Sequence, residues 1–377
     1  MDETRLRELF RESTDRVVGP DLEIPRVVLR RARRRIGTTV GAALLAMSLV
    51  GLGAVAGIRS LVGANPHRPA GPIVPPQQRV EQITVLASGH IVLVSPDGTG
   101  STNQVATGPG EGSLVPVAWS PDGSKLLLHD PRDDTIAVMN ADGTGLLPLA
   151  GGIDASWSPD GKKILVPSAH GYVYVMSRDG SDYASVSYGK AGSFSPDGSL
   201  VTNVVTAGPP DNGIHVAPLL GLWDGRRLDP DGDAFADGQA SWAPDGARLA
   251  IASQTSAKGW RLYVIQPDGT GLHFLAPGRD PSWSPDGSKI AFAMASNGEG
   301  DDIYVINPDG SGLTRLTDDP GPDTKPSWSP GGTKIAFFGA RGDRQGIYVM
   351  NPDGSDQTWL GAFPSTAPRV VWRVTGG

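Results

Sequence analysis

The chain has 377 residues, with 33 basic and 40 acidic side chains (net charge −7) and no cysteine. The lack of cysteine excludes disulfides and thiolate metal centres. Glycine (51) and proline (33) together make up about 22% of the residues, which argues against a mainly helical protein and for many short strands joined by tight turns.

Residues 1–35, the expected cytoplasmic tail, hold ten arginines against seven acids. Leu6, Leu9, Phe10 and Val17 recur at helical spacing, so an amphipathic helix is expected there, followed by an Arg-rich segment. Residues 36–58 form a 23-residue run without a charge, bounded by Arg35 and Arg59. As a helix this run spans a bilayer core of roughly 30 Å. The arginines just before it place the N-terminus in the cytoplasm. A cleaved signal ending near Ala54-Val55-Ala56, which would leave a secreted protein, is the rival reading; the long polar segment ahead of the apolar run speaks against it. Residues 59–80 contain Pro66, Pro69, Pro72, Pro75 and Pro76 and are expected to act as a stiff, extended linker. Residues 80–377 carry 20 basic and 33 acidic side chains, a balance that makes nucleic acid a poor partner.

From residue 81 onward the chain repeats itself. An aromatic residue is followed by Ser-Pro-Asp-Gly or a near copy, then by a strand, as in SWSPDGSKIAF at 282–292. The aromatics are Trp119, Trp157, Phe194, Trp242, Trp283, Trp328 and Trp372, spaced by 38, 37, 48, 41, 45 and 44 residues. A second signature recurs once per unit, as in IYVINPDGSG at 303–312, with a degenerate version, LWDGRR, at 222–227 and the first copy, HIVLVSPDGTG, at 90–100 ahead of Trp119. In both, a β-branched or aromatic run meets Pro-Asp-Gly, whose residues preset the turn that closes a hairpin. Two hairpins per period of 40–45 residues give four strands, a to d, and predict a β-propeller whose aromatics are structural anchors.

Trp-Ser-Pro-Asp-Gly paired with Tyr-Val-Ile-Asn-Pro-Asp-Gly resembles the TolB-like, WD-like propeller repeats of bacterial periplasmic and secreted proteins, over about residues 82–374. The resemblance implies fold more than activity, because the family is functionally broad. Seven anchors predict seven blades. The first unit lacks strand a and the last lacks b, c and d, so 82–88, 90–95 and 101–107 are expected to join 370–374 in one blade that closes the ring. Six blades with a loose N-terminal hairpin is the alternative. Closure through strand a puts both ends of the domain on the face of the Ser-Pro-Asp-Gly turns, which is then expected to look at the membrane.

The opposite, loop face varies from blade to blade, and variable loops on a rigid scaffold are where binding concentrates. Its candidate ligand residues are Asp133, Asp134, Asp231, Asp233, Glu299, Asp301, Asp302, Asp318 and Asp319, a set suited to a cationic ligand, basic peptide or divalent ion. Asp229, Asp231, Asp233 and Asp237 fall at calcium-loop spacing, but Ala234 and Ala240 stand where an EF-hand places its glycine and bidentate glutamate. His90, His129, His170 and His215 sit near successive b–c hairpins, away from the ring axis. No cofactor is expected, and calcium is the nearest approach to one. Trp223, Trp260 and Trp359 lie off the repeat and are the tryptophans free to stack on a ligand, and Arg341-Gly342-Asp343 spells an adhesion tripeptide.

Neither a Gly-x-Ser-x-Gly elbow nor a His-Glu-x-x-His motif is present. The expected function is therefore that of a membrane-anchored extracytoplasmic module that binds or scaffolds a protein, peptide or envelope component. A channel-sited lyase or hydrolase is one alternative. A transmembrane regulator whose tail engages a cytoplasmic partner is another.

Overall fold

The computed structural model describes residues 80–375 except 88–89, 98–100, 106–113, 169–170, 191, 206–212, 220–224, 229–238, 256–258, 297–299 and 363–369. The expected tail, membrane span and linker at 1–79 lie outside the described residues. Twenty-eight strands are present among those described. Blade 1 takes β1 (Val80–Ala87), β2 (His90–Val94) and β3 (Ser101–Val105). Blade 2 is β4 (Val115–Trp119), β5 (Lys125–Asp130), β6 (Thr135–Asn140) and β7 (Leu147–Gly151). Blade 3 is β8 (Ser156–Trp157), β9 (Lys163–Pro167), β10 (Tyr172–Ser177) and β11 (Ala184–Tyr188). Blade 4 is β12 (Gly192–Phe194), β13 (Leu200–Val205), β14 (Gly213–Pro218) and β15 (Arg226–Arg227). Blade 5 is β16 (Gln239–Trp242), β17 (Leu249–Thr255), β18 (Gly259–Ile265) and β19 (His273–Pro277). Blade 6 is β20 (Arg279–Trp283), β21 (Ile290–Ser296), β22 (Gly300–Ile306) and β23 (Thr314–Arg315). Blade 7 is β24 (Asp323–Trp328), β25 (Ile335–Arg341), β26 (Arg344–Met350) and β27 (Thr358–Gly361). The last strand, β28 (Trp372–Thr375), returns to pair with β1, giving the order β28-β1-β2-β3.

This pairing decides between seven blades and six. Val80 lies opposite Thr375 and Ile83 opposite Trp372, so the N-terminal hairpin is built into a complete fourth-strand sheet. The domain is a seven-bladed, all-β propeller. Both its ends meet where every other blade has its Ser-Pro-Asp-Gly turn, so they lie on the turn face.

The middle strands carry unbroken apolar runs because both faces of each blade are buried. In β5, Leu126 and Leu128 pack with Ile91 and Leu93 of blade 1, while Leu127 packs with Ile164 and Val166 of blade 3. The core is consequently seven layers, one between each pair of neighbouring blades. The layer between blades 7 and 1 joins Ile347 and Val349 to Ile83 and Val85.

The anchor aromatics bind each blade to the one before it. Trp157 donates its Nε1–H to the Ala118 carbonyl at 3.2 Å, Trp283 to Ser241 at 3.1 Å, and Trp372 to Ser327 at 3.3 Å. Trp119 donates to the Thr84 hydroxyl at 2.8 Å, and Thr84 N in turn donates to the Val371 carbonyl of that blade's inner strand. Phe194 packs in the same place without a donor. Trp242 and Trp328 occupy it with Nε1 buried and unbonded. Neighbouring inner strands touch at most of the blade junctions and line the central channel.

The rest of the repeated phrase serves the turn. Ser120 Oγ donates to Asp122 Oδ1 at 2.5 Å and accepts Lys125 N at 2.9 Å, and Asp122 Oδ1 also accepts Ser124 N at 3.0 Å. The Ser120 hydroxyl and then the Ser124 amide hold the Asp122 carboxyl down to about 2. Ser195 and Asp197 repeat the arrangement, with Asp197 likewise at about 2. The basic residue opening strand b crosses to strand c, as in Lys125 Nζ to Asn140 Oδ1 at 2.7 Å and Lys289 Nζ to Asn307 Oδ1 at 2.7 Å. Gly123 needs its φ of +66° to close the turn, and a side chain there would collide with the Val374 carbonyl of the closing strand.

Blade 7 departs from the phrase, with Gly331 where the aspartate belongs. The Glu81 carboxylate from blade 1 accepts the Gly331 amide hydrogen instead, so the missing acid is supplied across the ring junction. On its other side the junction is held by Arg373, which donates to the Gly123 carbonyl and lies 4.6 Å from the Trp119 ring centroid.

Trp283→Phe keeps most of the buried area and removes one inter-blade hydrogen bond, so it is expected to cost about 1 kcal/mol in chemical denaturation. Trp283→Ala also empties the layer between blades 5 and 6 and is expected to cost about 3–5 kcal/mol. Equal midpoints for both variants and wild type would contradict the anchoring role.

Candidate functional site

The two faces differ in kind. The turn face is built largely from one hydrogen-bonded unit, complete in blades 2, 3, 4 and 6. On the loop face each blade contributes different residues, and there the channel opens into a cavity of ≈ 390 Å³. Its lining includes residues from the start of the inner strands, among them the position three ahead of the anchor aromatic. Asp154, Gln239, Asp280 and Lys325 hold this position in blades 3, 5, 6 and 7. One step ahead of the aromatic, Ser193, Ser241, Ser282 and Ser327 also line the cavity.

The polar groups at this mouth are ordered. Gln239 Nε2 donates to Asp280 Oδ1 at 2.6 Å, and Asp280 N donates back to Gln239 Oε1 at 2.6 Å. Lys325 N donates to Asp280 Oδ2 at 3.3 Å. Asp280 and Lys325 both adopt left-handed backbone, with φ of +57° and +53°, and both precede proline. That conformation is unfavourable for a residue with a side chain and doubly so before proline. Burial pushes the Lys325 ammonium below the usual lysine range, partly opposed by the Asp280 carboxylate.

Many of the loop-face acids expected to contact a ligand are engaged by this chain's own arginines. Asp301 pairs with Arg279 and Asp302 with Arg315, the latter at 2.7 Å. Asp302 is buried and also accepts the hydroxyl of Thr317 at 3.3 Å. Asp319 pairs with Arg341 at 2.8 Å. The same guanidinium holds the fully buried Asp323 at 2.9 Å and Gln357 at 2.6 Å, and stacks 4.5 Å from the Tyr348 ring centroid. Burial raises the Asp323 pKa and Arg341 opposes that rise. The arginine of the Arg-Gly-Asp tripeptide is therefore a structural residue. Asp133, Asp134 and Asp318 are exposed on loops, with Asp134 3.1 Å from His129 Nε2 and Asp133 accepting Thr135 N. Asp231, Asp233 and Glu299 lie outside the described residues, as does the calcium-like loop around Asp229 and Asp237.

Among the described residues the histidines do not converge. His129 pairs with Asp134, His215 Nδ1 lies 3.3 Å from the Gly225 carbonyl, His90 opens β2, and His170 lies outside the described residues. Among the described residues no group of three His, Asp or Glu side chains is placed to share a metal ion. Of the off-repeat tryptophans, Trp260 packs against the layer between blades 5 and 6. Trp359 is exposed on the outer strand with Arg344 5.9 Å from its ring centroid, and Trp223 lies outside the described residues.

Sequence reading passed over the channel mouth, although a signal for it was present. The residue before the anchor is serine in five of seven repeats, whereas the third residue before it runs Pro116, Asp154, Ala191, Gln239, Asp280, Lys325, Arg369. Variation confined to one register of an otherwise uniform strand marks a position that the fold leaves open.

Residues 273–370 match the TolB beta propeller domain family. TolB from Acinetobacter baumannii superposes with a TM-score of 0.50 at 18% identity, over 79% of this chain and 83% of that one. The domain is a TolB-like β-propeller. An oligogalacturonate lyase in complex with manganese superposes on it with a TM-score of 0.53 at 13% identity, over 76% of this chain and 86% of the lyase. Puromycin hydrolase gives 0.55 at 17% identity, over 76% of this chain and 52% of the hydrolase. No curated protein matches the sequence. At these identities the likeness carries the fold of the TolB-like domain and leaves its site to be argued from its own residues.

Arg341→Met leaves Asp323 as an uncompensated buried carboxylate and is expected to destabilise the TolB-like propeller by about 3–5 kcal/mol. Adding Asp323→Asn should recover part of that loss. Denaturation of the single and double variants checks this, and a double variant no better than Arg341→Met would contradict the pairing.

Proposed function

We propose that this protein is a membrane-anchored, extracytoplasmic propeller that binds and scaffolds a partner protein, peptide or envelope component through its loop face. The carrying observation is the contrast between the faces. The turn face largely repeats one self-satisfied unit and receives both ends of the domain, whereas the loop face presents a polar channel mouth and exposed acids that differ between blades. The uncharged run at 36–58 and the proline-rich stretch after it supply the anchor and stalk in this reading. A domain tethered at its turn face would turn the loop face away from the membrane, where a partner can reach it. Binding residues held on a rigid ring lose little entropy on binding, which suits a scaffold.

The test is recovery of partners from an envelope extract by the full-length protein in detergent. Charge reversal at the exposed loop-face acids, Asp133→Lys, Asp134→Lys and Asp318→Lys together, is expected to abolish the specific bands. Lys162→Glu on the turn face should leave them unchanged. Equal recovery by wild type and the triple variant would refute the loop-face reading.

A further inference from the structure

The outer wall of blade 5 holds a cation that lacks the counter-charge found at the matching place in blade 6. In blades 5, 6 and 7 a tyrosine of the third strand pairs with a residue of the outer strand: Tyr263 with Phe274, Tyr304 with Arg315 and Tyr348 with Trp359. Two residues before each tyrosine stand Arg261, Asp302 and Gly346. In blade 6 the charges cancel, because Asp302 pairs with Arg315 at 2.7 Å. In blade 7 the glycine brings no charge. In blade 5 the Arg261 guanidinium lies 4.1 Å from the Phe274 ring centroid and 6.0 Å from that of Tyr263. Among the described residues Arg261 has these ring contacts and no ion pair, and its Nε is buried without an acceptor. We propose that this wall docks an extended acidic segment of a partner protein, with a carboxylate on Arg261 and an apolar side chain against Phe274 and Leu272. The surface lies apart from the loop face and prefers the opposite charge.

Three observations carry it. First, the cation is held in place. A guanidinium over an aromatic ring keeps a planar fork of N–H donors, and that fork matches the two oxygens of a carboxylate. Second, the wall around it is apolar and open. Leu272 and Phe274 are both exposed, and the outer strand of blade 4, β15, is only two residues long. Arg226 of that strand reaches across to donate to the Asp268 carbonyl, which brings a second guanidinium to the turn ahead of β19. Third, β19 is the outer edge of its sheet and is five residues long. Such an edge offers its backbone groups to an added strand. Alternate side chains of an added strand point the same way. An acidic and an apolar residue two apart would therefore meet Arg261 and Phe274 together. A polyanion suits the wall less well, because the domain around it carries 33 acidic against 20 basic side chains and repels a dense negative charge.

The experiment follows fluorescence polarisation of a labelled Glu-Val-Glu-Val-Glu-Val peptide as full-length protein in detergent is added. The Gln-Val hexapeptide serves as the neutral comparison. The Glu-Val peptide is expected to bind about tenfold or more tightly, because hydrogen bonds between charged groups are the strong ones. Arg261→Met keeps the stem over Phe274 and should abolish the preference for Glu over Gln, whereas Arg261→Lys should keep part of it. Phe274→Ser should weaken both peptides. Arg344→Met, beside Trp359 in blade 7, should change neither. Circular dichroism identical to wild type shows that each variant keeps the ring. Should Arg261→Met fail to fold, the preference in wild type and in Arg261→Lys decides the matter. Equal binding of the two peptides, no saturable binding, or a folded Arg261→Met that keeps the preference would overturn the inference. So would phosphatidylglycerol vesicles that bind through Arg261 and displace the peptide. Peptide binding that appears only after Asp231→Asn and Asp233→Asn would assign Arg261 to the domain's own acids, and would overturn it too.

Discussion

The contact between an indole on one inner strand and the neighbouring blade is the constraint on which the rest of this structure depends. A single four-stranded sheet with two apolar faces cannot be stable in water, so each blade has to bury both sides against neighbours. The anchor aromatic sets how those neighbours meet. Its ring fills the layer behind it, and in Trp119, Trp157, Trp283 and Trp372 the Nε1–H reaches an acceptor on the preceding blade. Because the inner strands are the ones joined, the contact also fixes the channel. The residues just ahead of each anchor must then point into a common space, and that space is the candidate site.

Closure follows from the same logic. Seven layers in a ring leave no exposed blade face, whereas an open arc would leave two. The chain completes the ring by returning β28 to β1, which also removes a free sheet edge. The junction is reinforced by residues that break the repeat: Glu81 stands in for the aspartate absent at Gly331, and Arg373 bridges to Gly123 and Trp119. Departures from the repeat are therefore of two kinds. Some repair the junction of the ring. Others, at the channel mouth and in the loops, differ from blade to blade, and several of them, Asp280 and Arg341 among them, are tied to other residues of the domain.

The sequence displayed the fold more clearly than the site, and the reason lies in range. Turn chemistry is local, so Ser-Pro-Asp-Gly and the strand after it could be read within ten residues. The closing blade was legible too: 82–88, 90–95 and 370–374 were expected, and Val80–Ala87, His90–Val94 and Trp372–Thr375 were found. The ion pairs were not legible. Arg341 reaches Asp323 across 18 residues and Arg279 reaches Asp301 across 22, both through strand pairing that periodicity does not order. Acids counted as open to a ligand, Asp301, Asp302 and Asp319, are held by these intramolecular partners. The channel mouth escaped notice because its residues come from five different blades and become neighbours only when the ring closes.

Ring closure is thus the claim from which the channel, the two faces and their orientation all follow. The chain has no cysteine, so two introduced thiols can report on it without interference. Val80→Cys and Thr375→Cys place a pair directly across β1 and β28, separated by nearly the whole domain in sequence. Mild oxidation of the double variant is expected to form an intramolecular disulfide, seen as faster migration on non-reducing gels and as loss of free thiol. A double variant that keeps both thiols reduced, or joins only to other molecules, would contradict a ring closed by its two ends.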